Sequence, residues 1–235
     1  MNLEDEAIQY AKTNRTKIAR ELTDKNIYPP SASPETVFMA GSPGAGKTEF
    51  SKSVLALIAE TYETIPIRID SDELRPKIKG YTGSNSSEVQ RAVSLIVERL
   101  YDNVLKNRQT AIIDGTFANY EKARDNIERS LRHHRKILIL YIYQDPVVAW
   151  NFTVAREIVE GRNIPKEAFI RQFLGARETI MRIRKEFPDD VKIILVKKDF
   201  KTNAVESLQY LLANGPGLDE LLPDKYTEET LMKLI

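Results

Sequence analysis

Cysteine is missing from all 235 residues, which excludes disulfides, thiol nucleophiles and cysteine-held metals. Histidine is nearly missing: His133 and His134 stand together in the basic segment RSLRHHRK. Without further His or Cys partners they read as a solvated helix end and not as a metal site. An excess of either charge is also lacking, because 35 Lys and Arg against 34 Asp and Glu leave a formal net charge of +1. Such balance argues against nucleic acid as a partner, and any polyanion binding would have to be local. No run of about 18 apolar residues is present to cross a bilayer. The opening MNLEDEAIQYAK is acidic and amphipathic, unlike a signal sequence. A cytoplasmic protein without membrane contact is expected, with one large or two small domains.

Glycine is sparse too, ten in all, yet three of them crowd into TVFMAGSPGAGKTEFSK. Residues Gly41, Ser42, Pro43, Gly44, Ala45, Gly46, Lys47 and Thr48 fit G-x-x-x-x-G-K-[ST]. The apolar run Val37 to Ala40 reads as a buried strand, and Phe50, Val54, Leu57 and Ile58 have helical spacing. The motif therefore falls on a strand-to-helix turn. There the glycines let backbone N–H groups face phosphate, and the helix start adds partial positive charge. Lys47 is expected to reach the β- and γ-phosphates of a nucleoside triphosphate and Thr48 to ligate Mg²⁺.

Residues 3 to 26 carry amphipathic helical spacing (Ile8, Ala11, Ile18, Ala19, Leu22), and Pro29, Pro30 and Pro34 then stop helix formation. Beyond the glycine-rich turn, IPIRI predicts a strand ending at Asp70. Val89, Val93, Ile96, Val97, Leu100 and Val104 predict a long helix from Ser86 to Asn107. TAIIDGT, RKILILYIY and DDVKIILVKK predict further strands separated by helical patterns. Alternation of this kind predicts an α/β fold with a mostly parallel sheet covered by helices on both faces, with N-terminal helices added. Ligands in such sheets bind at the carboxyl ends of strands. The expected division is an N-terminal helical appendage over 1–30, a nucleotide-binding P-loop core over 34–200 and a C-terminal helical tail over 201–235.

Phosphoryl transfer asks for alignment, charge neutralisation and a base for the acceptor hydroxyl. IDSDEL offers Asp70 and Asp72 just beyond a strand, with Asp72 favoured as the base and Asp70 as a cap or a structural group. Asp114 in AIIDGT ends another strand, where a carboxylate can orient magnesium-bound water, and Thr116 can hydrogen-bond a ligand. Arg156 sits on a helix and Arg162 follows Gly161 in a bend. As a pair they could close over the triphosphate and neutralise developing charge. Trp150, the tyrosines of LYIYQ, and Arg171, Arg177, Arg182 and Arg184 read as core packing and surface charge, respectively.

The order GSPGAGKT, DSDELR, VERL, DGT, VARE, GRNIPKE, spread over about Thr36 to Lys198, resembles the zeta toxin family of P-loop kinases. The resemblance implies a three-layer sandwich of the P-loop NTPase and nucleotide-kinase kind, and ATP- or GTP-dependent phosphorylation of the 3′-hydroxyl of the sugar in UDP-N-acetylglucosamine. It also implies the toxin role of a toxin–antitoxin pair, which makes a nucleotide-sugar the small-molecule partner and an antitoxin a candidate protein partner. By motif position it gives Lys47 the phosphates, Asp72 the role of base, Glu98 and Thr116 the amino sugar, and Arg156 and Arg162 the phosphate charge. Two features depart from the family pattern: Asp114 stands where a Glu often precedes GT, and the proline-bounded N-terminal segment precedes the core. The residues leave two alternatives open, a kinase of the same fold acting on another hydroxyl (another nucleotide-sugar, an antibiotic, a polynucleotide 5′ end) and a regulatory NTPase.

Overall fold

The computed structural model describes residues 2–62, 65–161, 163–199, 201–202, 204–222 and 225–235. Helix α1 (Leu3–Leu22) is followed by β1 (Glu35–Ala40), α2 (Lys47–Tyr62), β2 (Ile67–Asp70), the short α3 (Ser71–Leu74), α4 (Ser86–Asn107) and β3 (Ala111–Asp114). Then come α5 (Tyr120–Arg132), β4 (Lys136–Tyr143), α6 (Pro146–Glu160), α7 (Lys166–Glu186), β5 (Val191–Lys198), β6 (Val205–Tyr210), α8 (Leu218–Leu221) and α9 (Glu228–Leu234). The six strands form one sheet in the order β2-β3-β1-β4-β5-β6. The first five are parallel, and β6 runs antiparallel to β5.

Alternation along the central strands puts one set of side chains toward each face. Val37 and Met39 meet Ile112, Leu140, Ile142 and Val196 on the face covered by Phe50, Val54 and Ile58 of α2. Phe38, Ile139 and Tyr141 belong to the larger cluster on the other face, built with α1, α4, α5 and α7. The runs read as strands are buried at nearly every position of β1 and β4, as sheets covered on both faces require. The predicted α/β sandwich with a mostly parallel sheet is the fold observed.

The N-terminal segment, whose spacing reads as amphipathic helix, forms one long helix, α1, which lies along α4; its Ala7, Ala11, Ile18 and Ala19 are buried in the same cluster as the sheet. Small side chains on one stripe permit that close approach. The stretch after 201, expected to be helical, contains the strand β6 before α8 and α9. All six of its residues are exposed, so no buried face left an apolar alternation to find.

At the amino ends of the strands, Arg135 is 3% exposed and ties three elements together. It donates to Thr36 Oγ1 (2.7 Å), the Glu35 carbonyl (2.6 Å) and the Gln109 carbonyl (2.6 Å). Burial lowers its pKa to about 10. Arg177 and Arg184, expected as surface charge, anchor the tail: Arg177 pairs with Asp219, and Arg184 donates to the Pro216 and Gly215 carbonyls. His133 and His134 are exposed at the end of α5. Among the described residues no helix is long and apolar enough to cross a membrane.

Candidate active site

The glycine-rich turn is pressed between two pieces of backbone. Gly41, Gly44 and Gly46 have φ of 138°, 71° and 84°, all in the region that favours glycine. A Cβ on Gly41 would lie 2.3 Å from the Ile142 carbonyl oxygen, and one on Gly44 2.0 Å from that of Ala149 in α6. The Gly41 N–H donates to the Thr116 carbonyl (3.0 Å), which ties the loop to the segment after β3. Helix α2 opens at Lys47, whose Nζ donates to the Ser42 carbonyl at 2.7 Å. Asp145 caps α6 through the Val147 and Val148 N–H groups and so fixes the second wall of the loop.

Strand register decides the fate of the carboxylates. Asp70 and Asp114 are Cα partners on β2 and β3, so their side chains share the α2 face. Arg68, two residues before Asp70, points the same way with its side chain only 7% exposed. Its Nη2 lies 2.5 Å from both Asp70 Oδ2 and Asp114 Oδ2, Nη1 bonds Glu73, and Nε donates to Ser51 Oγ at 3.0 Å. Burial alone would lower the Arg68 pKa, but the hydrogen bond to Asp114 and the surrounding carboxylates raise it. Asp114, expected to orient magnesium-bound water, is thus held by Arg68 and by the Ser51 hydroxyl at 2.9 Å. Asp70 caps α3, its Oδ1 accepting from the Asp72 N–H at 2.8 Å. Burial pushes the Asp70 carboxyl above its usual range, against the opposing effect of that N–H bond.

Asp72 lies one step further, in the first turn of α3, with its side chain 31% exposed and paired to Arg75. Arg75 is itself buried and donates through Nη2 to Gln90 on α4 at 2.7 Å. Lys47, Thr48, Asp72, Thr116 and Arg156 all line one cleft of about 610 Å³ at the carboxyl ends of the strands. Phe152 and Ile164 close one side of it. A second compartment of about 240 Å³ shares Ser71, Gln90 and Thr116 with the first and continues over Phe38, Val97 and Phe117. Asn119, Lys122 and Asn126 supply its polar rim. Glu98 lines neither compartment; it is exposed, 3.7 Å from the Lys122 ammonium. Arg162 lies outside the described residues.

Arg68, Arg75 and Gln90 escaped the sequence reading. A cation two residues before Asp70 on a strand was a readable signal, since period 2 puts the two on one face. Gln90, Ser94 and Val97 recur at the edge of the apolar stripe of α4, where spacing alone does not distinguish a site face from a solvated one.

The sequence profile of the zeta toxin family matches residues 18–206. No curated protein sequence matches. Among solved structures, the PezAT chromosomal toxin–antitoxin system of Streptococcus pneumoniae contains a chain 13% identical, with TM-score 0.68 over 99% of this chain and 95% of that one. A chain of the AvrRxo1-ORF1:AvrRxo1-ORF2 complex with ATP is 14% identical, with TM-score 0.62 over 94% of this chain and 70% of that one. The Pnkp1/Rnl/Hen1 RNA repair complex is similar over 66% of this chain and 47% of that one, at 20% identity and TM-score 0.51. At these identities the likeness is one of fold.

Proposed function

The chain belongs to the zeta toxin family, and from that premise we propose that it is a small-molecule kinase acting as the toxin of a toxin–antitoxin pair. The reaction is transfer of the γ-phosphoryl group of ATP or GTP to a sugar hydroxyl, the 3′-hydroxyl of UDP-N-acetylglucosamine. One observation carries the reading: the glycine cradle with Lys47 and the carboxylate of Asp72 line the same cleft.

In this mechanism the nucleotide phosphates lie against the N–H groups of Gly44 and Gly46 with Lys47 beside them. The acceptor enters over the smaller compartment, where Thr116 holds it; Glu98, outside that compartment, acts on it only through Lys122 of the rim, 3.7 Å away. The sugar hydroxyl oxygen attacks the γ-phosphorus, its proton passes to Asp72, the bond from phosphorus to the β,γ-bridging oxygen breaks, and the nucleoside diphosphate leaves. Arg75 and Gln90 orient Asp72 for that proton. Arg156, with Arg162, neutralises charge on the transferred group. The donor set fits Mg²⁺ carried by the nucleotide: Thr48 offers one hydroxyl in the cleft, and among the described residues no group of three or more His, Cys, Asp or Glu could hold a metal. When bound, the ion would neutralise the phosphates.

The test is mass spectrometry of the protein incubated with ATP, Mg²⁺ and a panel of UDP-sugars. One added phosphoryl group on UDP-N-acetylglucosamine is expected, absent with Lys47→Ala. With Asp72→Asn it should fall by about 10²- to 10⁴-fold while nucleotide binding persists. Loss of nucleotide binding in Asp72→Asn would remove the assigned base. Product on another acceptor in the panel, and none on UDP-N-acetylglucosamine, would overturn the sugar assignment.

A further inference from the structure

The nucleotide end of the cleft and the acceptor end are joined through a cation that no motif contains. Ser51 stands one turn of α2 beyond Thr48; its Oγ accepts from Arg68 Nε at 3.0 Å, and its one hydroxyl proton is shared between the Thr48 carbonyl and Asp114 Oδ2, each 2.9 Å away. Arg68 Nη2 then reaches Asp70 Oδ2 at 2.5 Å, and Asp70 Oδ1 holds the Asp72 N–H at 2.8 Å. Every link is short, and the Arg68 side chain is 7% exposed. The geometry also requires such a cation, because Asp70 and Asp114 are direct cross-strand neighbours, and like charges in that relation repel. Arginine suits the place because its planar fork offers Nε, Nη1 and Nη2 in separate directions, used here on Ser51, on Glu73, and on the Asp70–Asp114 pair.

We propose that Arg68 is a positioning residue for phosphoryl transfer: it locks the first turn of α2 to the first turn of α3 and so sets the separation between the nucleotide phosphates and Asp72. Arg68 is absent from the residues that line the main cleft and acts through Ser51 and Asp70. The inference rests on Asp72 being the acceptor base. Its consequence is selective. Loosening Arg68 leaves the cradle of Gly41, Gly44 and Gly46 in place, since that is held by Ile142 and Ala149, but frees α3 to shift against it. A displacement of about 1 Å at a reacting group lowers turnover on the order of 10²-fold.

The experiment compares wild type, Arg68→Gln and Arg68→Lys by melting temperature, by affinity for a fluorescent ATP analogue with Mg²⁺, by steady-state transfer to UDP-N-acetylglucosamine, and by hydrogen exchange of residues 47–52 and 70–75. Arg68→Gln is expected to lower kcat by about 10- to 100-fold. Its nucleotide affinity and KM for ATP should stay within about threefold, and exchange should rise in both segments together. Arg68→Lys restores the charge, and with it most of the melting temperature, but one ammonium cannot span the three directions, so kcat stays low. Wild-type kcat in Arg68→Gln below its melting transition would overturn the proposal, as would raised exchange with unchanged turnover. If wild type phosphorylates no sugar, the kinase reading fails separately. The exchange pattern then still decides the link: a rise confined to the two segments supports it, and unchanged exchange overturns it.

Discussion

Replacing Gly44 with alanine should damage this protein more than the same change at Gly161, although the two share nearly the same backbone conformation. Their φ values are 71° and 69°, so both variants carry the cost of an L-residue in the left-handed region, about 1–2 kcal/mol. Their surroundings differ. A Cβ at Gly161 meets nothing within 4 Å, whereas one at Gly44 falls 2.0 Å from the Ala149 carbonyl oxygen and 2.7 Å from Thr153 Oγ1. The first of these is backbone within α6, which must recede by about 1 Å, an overpacking cost of about 1–3 kcal/mol. Gly161→Ala should therefore lose about 1–2 kcal/mol and Gly44→Ala about 2–5 kcal/mol in urea unfolding at 25 °C. Because the strained loop is also the proposed phosphate cradle, Gly44→Ala should weaken binding of a fluorescent ATP analogue by at least about tenfold, on the order of 1.4 kcal/mol, and Gly161→Ala by less than about threefold. Equal losses of stability in the two variants would refute the packing argument. Unchanged nucleotide affinity in a folded Gly44→Ala would refute the role of the cradle.

Two further outcomes follow from buried charge. Arg135→Met removes the donor to Thr36 Oγ1 and to the Glu35 and Gln109 carbonyls. At about 1–3 kcal/mol per buried acceptor left unsatisfied, an overall loss on the order of 3 kcal/mol, or about 6–12 °C in Tm, is expected by calorimetry; a change under about 2 °C would show that the network is dispensable. Asp70 holds its proton to higher pH in the folded state than in the unfolded chain, chiefly through burial. The folded state thus binds more protons just above the unfolded carboxylate range, near pH 4, and this contribution to stability is lost as pH rises through the raised pKa. Asp70→Asn keeps an oxygen to cap α3 and removes that titration. The stability of the variant relative to wild type should therefore increase as pH rises above about 4, read by urea unfolding at several pH values, and a pH-independent difference would contradict the assignment.

Local features of the chain carried much of the architecture. The central strands announced themselves because buried parallel strands must be apolar at nearly every position, and α4 did so because its buried side recurs at helical spacing. The glycine cradle was equally legible, since a positive φ beside a carbonyl leaves room for one residue type only. Strand β6 was silent: it is exposed throughout, and exposure leaves no pattern. The proposed acceptor side was half legible. Asp70 and Asp72 stood out as a pair, and Asp70 read as the cap that it is, but nothing local told that Asp70 would meet Arg68 and Asp72 would meet Arg75.

That distinction, and everything that links the ends of the cleft, depends on pairings between residues far apart in the chain. Sequence alone determined the chemistry available: a glycine-rich turn with the phosphate-binding pattern, no thiol or histidine cluster, a few carboxylates at strand ends, and arginines downstream. Tertiary structure decided which of those groups meet. Register set Asp114 beside Asp70 and placed Arg68 between them, while the short turn of α3 carried Asp72 clear of both and onto Arg75. The reason is one of range. Propensity and periodicity act over a few residues, whereas the meeting of Ser51, Arg68 and Asp114 exists only once β2 and β3 have paired under α2.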